Sequence, residues 1–202
     1  MRRRIVTLIL GAVLTGCQAT GPEPGSPSLD DTSERLLAAP PDGWVTVFQS
    51  NRPGIRLIEF APPGQAADAW TEKLSFESFG SSPPPDPIEL LTQIANDQRA
   101  TCTGFSDYNT FSGFENGYPT SIRLFVCRTN PVTQLAQITL VKAIQGNEQF
   151  YVITRARRVP PIETEGAAAM PAEDMAAWSL YLRAISLCDS ARPAHPCPEP
   201  SE

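Results

Sequence analysis

The chain has 202 residues, 41% hydrophobic and 19% charged, which suits one globular domain with tails. Its 21 prolines fall mostly in clusters that mark loops and tails. The formal net charge is −6. An acidic chain repels phosphate backbones, which argues against nucleic acid as a partner, with one basic strand as a local exception.

Met1-Arg2-Arg3-Arg4 is a positively charged start, and Ile5 to Leu14 follows as a short apolar run. A bilayer span needs roughly 20 residues, so this run reads as a signal-peptide core. Leu14-Thr15-Gly16-Cys17 comes next. It resembles the lipobox of bacterial lipoproteins. The resemblance implies a signal peptide over 1–16, cleavage before Cys17 and acylation of that cysteine. More than one acyl chain gives stable anchoring, so the lipid bilayer becomes a partner through Cys17. Gln18 stands where aspartate would resemble an inner-membrane retention signal, which implies the outer membrane facing the periplasm. Loss of Arg2, Arg3 and Arg4 leaves 13 basic against 22 acidic residues, a net charge of −9.

Residues 18 to about 42 read as a tether, because Gly21-Pro22-Glu23-Pro24-Gly25 excludes helix and central strand. A coil of that length spans roughly 25–30 Å. Ser33 to Ala39 is expected to form at most one helical turn. One domain is expected over 43–198, with a disordered end at 199–202.

Trp44 to Phe48 and Ile55 to Phe60 have strand character around the Arg52-Pro53-Gly54 turn, which predicts a hairpin. A short helical turn is expected at Ala66 to Trp70. Leu74 to Glu77 alternates as a strand, with a slip or bulge at Ser78-Phe79. Asp86 and Pro87 predict a helix N-terminus, with Glu89 three residues after the cap. Ile88, Leu91, Ile94 and Ala95 form its apolar stripe. Strands are expected near 105–111, 118–127, 134–144 and 150–159, then a loop at 162–170. Pro171 opens the last helix, with Met175, Trp178, Leu182 and Ile185 on one face. The tail from Asp189 is expected to be irregular. This order predicts an α+β fold, with a mostly antiparallel sheet of about six or seven strands flanked by two main helices.

Besides Cys17 the chain has Cys102, Cys127, Cys188 and Cys197. An even count in an exported domain implies two disulfides with three possible connectivities. The favoured pairing is Cys102–Cys127 and Cys188–Cys197. The first ties the end of the internal helix to a strand, and the second staples the tail to the last helix. A zinc site at His195 and Cys197 is the alternative, but Cys-x-x-Cys spacing and a second histidine are missing. No metal or cofactor is therefore expected.

His195 is the only histidine and lies in the proline-rich tail, so a packed or surface imidazole is favoured over a general base. The sequence has neither a Gly-x-Ser-x-Gly elbow nor a glycine-rich phosphate loop. Asp68, Glu72 and Glu77 are candidate paired acids, with an ordinary solvated role preferred. Arg155, Arg157 and Arg158 are the one basic cluster. They are a candidate contact for an anion or partner, although pairing with carboxylates is the commoner fate. Trp70 and Trp178 are expected in the core.

Trp70 to Phe76, Lys142-Ala143-Ile144-Gln145-Gly146-Asn147, and the end Cys188-Asp189-Ser190 to His195-Pro196-Cys197-Pro198 resemble an exported proteobacterial family of uncharacterised function. That resemblance implies no activity. The order of elements also resembles the PsbP-like α+β fold. The reading is a lipid-anchored, non-enzymatic envelope module that binds a protein or small ligand on the sheet or in a sheet–helix crevice. An enzyme or enzyme accessory acting on envelope material is the alternative.

Overall fold

The computed structural model describes residues 33–164 and 169–198. The fold is α+β, built on a seven-stranded antiparallel sheet and a separate two-stranded one. In chain order the elements are β1 (Glu34–Leu37), β2 (Val45–Arg52), β3 (Ile55–Ala61), β4 (Glu72–Phe79), α1 (Pro87–Thr101), β5 (Thr103–Glu115), β6 (Tyr118–Thr129), β7 (Ala136–Gln145), β8 (Phe150–Val159), α2 (Ala172–Ala184) and β9 (Ser186–Asp189). The large sheet runs β2-β3-β4-β8-β7-β6-β5, and β1 pairs with β9. Two meanders thus meet in the middle, where β4 lies beside β8. Helix α1 carries the chain from β4 across to the far edge strand, β5.

The strand alternation gives the sheet two different faces, and each receives one helix. Leu91 and Ala95 of α1 pack on Phe125, Val141, Ala143, Phe150 and Val152. Trp178 and Leu182 of α2 pack on the opposite face, among Ile138, Leu140, Ile153, Leu74 and Phe76. Asp86 caps α1 by accepting from the backbone N–H of Ile88 at 2.7 Å and of Glu89 at 3.1 Å. Such a cap contributes typically ~1 kcal/mol.

A buried lysine finishes α2. The last carbonyls of a helix have no partner within it and carry its negative dipole end. Lys142, buried on β7, donates to the carbonyls of Leu182 at 3.0 Å and Ile185 at 2.5 Å, and pairs with Glu115 of β5. Burial pushes the Lys142 pKa down, and Glu115 opposes that shift.

Several local expectations differ from the structure. Residues 34–37 form β1 rather than a helical turn at the end of the tether. Ala66 to Trp70 is a series of bends, closed by reciprocal backbone bonds between Ala66 and Ala69. No slip occurs at Ser78-Phe79, because β4 stays in register with β8 through Phe79 opposite Phe150. Ile88 is 49% exposed and falls off the buried stripe of α1. Strand β9 continues the chain after α2, where no strand was expected. Cys17 and most of the expected tether, the middle of the 162–170 loop, and the end at 199–202 lie outside the described residues.

The cysteines pair as Cys102–Cys127 and Cys188–Cys197, with Cα separations of 5.5 and 4.9 Å. The first joins the end of α1 to β6; the second joins the tail to β9 rather than to the last helix, because α2 ends at Ala184, before Cys188.

Candidate functional site

The basic cluster is divided between the two faces of the sheet. Arg155 and Arg157 lie beneath α2, as their shared parity on β8 requires. Glu72 of β4 takes both charges: it accepts from Arg157 Nε at 2.6 Å and lies 3.7 Å from Arg155. Asp174 of α2 holds the other arm of Arg157 at 2.5 Å. The Arg155 guanidinium also lies 4.8, 5.3 and 5.5 Å from the ring centres of Trp178, Tyr181 and Trp44. Burial lowers the Arg155 pKa, with Glu72 opposing the shift. Burial also acts downward on Arg157, but Asp174 and Glu72 leave its pKa raised. Tyr181, half-buried beside Arg155, has its phenol pushed up to about 12 by loss of solvent. Arg158 stands 3.8 Å over the Trp70 ring. Arg155 and Arg157 therefore spend their charge inside the fold, on carboxylates of the same chain.

The candidate acids are not brought together. Asp68 is exposed in the loop before β4. Glu72 and Glu77 alternate to opposite faces of β4, with Glu72 across from Arg157 and Glu77 across from Val152. Burial raises the Glu77 pKa. His195 packs in the tail: its ring stacks on Tyr118 at 3.9 Å, and Nδ1 lies 2.9 Å from the Asn116 carbonyl. Gly117, at φ +81°, makes room for it, since a Cβ there would lie 2.8 Å from His195 Nδ1. The Cys197 sulfur is bonded to Cys188, which removes it as a ligand beside His195. Among the described residues, no group of three histidine, cysteine or acidic side chains could hold a metal ion.

A crevice of about 400 Å³ opens instead between the β5–β6 edge of the sheet and the start of α2. That volume falls in the range of small-molecule sites. Leu124, Val126 and Arg128 share one face of β6, and Ser106 and Tyr108 lie across from Val126 and Leu124 on β5. Ile162, Met170 and Met175 form the opposite wall. The backbone bond from Ile162 N–H to the Arg128 carbonyl, at 3.0 Å, holds that wall to the strand. Tyr108 is 54% exposed at the mouth.

Arg128 is the charged group of this lining. Its guanidinium lies on the backbone of Gly104, where φ is +71° and a Cβ would come within 2.1 Å of Nε. A glycine is needed there both for the backbone conformation and for the space. Among the described residues no carboxylate pairs with Arg128. The three basic residues read as a cluster from the sequence fall within four consecutive positions, whereas Arg128 stands apart from them. Its signal was an arginine closing the otherwise apolar face of Leu124 and Val126.

Compared with known proteins, the chain matches no family model and no curated protein.

Proposed function

We propose that the protein is a lipid-anchored envelope lipoprotein, held on the outer membrane facing the periplasm by acylated Cys17, and that its domain is a non-enzymatic binding module. The anchor is read from residues 1–17. The binding site is the crevice beside Arg128. The observation that carries this reading is the chemistry of the lining: Leu124, Val126, Ile162, Met170 and Met175 with one arginine, two hydroxyl residues and a phenol. Arginine stays protonated, so it binds anions and does not exchange protons as an acid–base catalyst does. Methionines adapt to the shape of what they contact. The set suits holding a ligand better than transforming one.

Site-specific photocrosslinking in intact cells tests this. A photoreactive residue at Tyr108 should give discrete adducts, while one at Gln93, exposed on α1 at the other face, should not. Equal adducts at both positions, or none at Tyr108, would contradict the assignment of the crevice.

A further inference from the structure

Resting on that reading of the crevice, we infer that its ligand is a single-chain anionic amphiphile, with a carboxylate or phosphate head on Arg128 and an alkyl chain along the β6 wall. The geometry sets a charge at one end of a slot whose two walls are largely apolar. Arg128 is the last of three same-face residues on β6, so Leu124 and Val126 extend away from it at the strand repeat. Two residues of strand advance ~6.6 Å, so Leu124 to Arg128 covers roughly 13 Å. Met170 and Met175 face that line from the other wall. A flat guanidinium presents paired N–H donors that match a carboxylate or phosphate in two parallel bonds. Its seat on Gly104 fixes the head of the site, because the backbone beneath it carries no side chain.

The basic residues elsewhere explain why Arg128 takes this role. Arg155 and Arg157 are answered by Glu72 and Asp174, Arg123 and Arg99 by Asp107, and Arg192 by Asp189. Of the arginines facing the α2 side of the sheet from β6 and β8, Arg128 is the one without a carboxylate among the described residues. A neutral amphiphile would leave it unanswered. A short polar anion would leave the half-buried Met175, Leu124 and Val126 wet.

The test uses the lipidated full chain in phosphatidylcholine nanodiscs and a decanoic acid that carries an alkyl diazirine. Irradiation should label peptides containing Tyr108, Met170 or Met175. Decanoate or decyl phosphate should compete, and whichever competes better identifies the head group; decanol should not. Loss of a charge-assisted pair weakens binding by roughly tenfold or more, so Arg128→Gln should cut labelling by that factor and Arg128→Lys should restore part of it. Val126→Phe, which keeps the charge and fills the slot, should also reduce labelling. Each variant is checked for both disulfides and an unchanged melting midpoint. Competition by decanol equal to that by decanoate, or full labelling of Arg128→Gln, would overturn the anionic head. Absence of label from the crevice peptides would overturn the amphiphile. A protein adduct from Tyr108 in cells would then leave the crevice as a binding site for something else.

Discussion

Lys142, which is buried, and Glu77, which is half-buried, show how charge drawn out of water behaves at single positions in this fold. Lys142 answers two helix-end carbonyls and Glu115 at once, so its removal strands three acceptors. Lys142→Ala should lower the unfolding free energy by about 3–5 kcal/mol, measured by chemical denaturation. Glu77 has no such partner in its shift: burial alone raises its pKa. A carboxyl whose folded pKa is raised favours folding when protonated, and that contribution is lost as pH rises through the folded value. Glu77→Gln should therefore raise the melting midpoint at pH 7 by ~1–3 °C, and the gain should vanish near pH 4. Calorimetry at both pH values checks it. The sequence shows that Arg155 and Arg157 share a strand face, because parity is local. That Glu72 and Asp174 answer them is a matter of tertiary packing, as is the isolation of Arg128.

Among the elements, those with strong local signals were legible. Asp86-Pro87 caps α1 and the run 150–159 is β8, because capping chemistry and β-branched runs act over a few residues. β1 was not legible. Glu-Arg-Leu-Leu has helical propensity, and what makes it a strand is its partner at 186–189, far along the chain. There Glu34 pairs with Asp189, and its carboxylate accepts from the backbone N–H groups of Asn147, Glu148 and Gln149. Pairing with β9 and the Cys188–Cys197 bridge fix this entry point. In the double variant Cys188→Ser with Cys197→Ser, amides of 34–37 and 186–189 should exchange faster by tenfold or more, while β7 and β8 keep their protection. Uniform loss of protection across the domain would show that β1 and β9 belong to one cooperative unit with the main sheet.

For the whole molecule, the chain entry and the crevice lie at opposite ends of the sheet. The chain enters at β1, beside the 146–149 turn and the 116–117 turn that meets the tail. The crevice takes the far halves of β5 and β6, around Gly104 and Arg128. An anchored domain would thus present its crevice at the end away from where its tether arrives. Residues 34–37, expected as part of the tether, belong to the fold. An envelope ligand presupposes the anchor at Cys17. Intact mass measurement of the purified protein, wild type beside Cys17→Ser, tests it most directly. The wild type should begin at Cys17 and carry the added mass of its acyl chains, and Cys17→Ser should accumulate at the mass of the uncleaved 202-residue precursor. A wild-type chain that begins elsewhere without added lipid, or a Cys17→Ser chain processed like the wild type, would contradict the account.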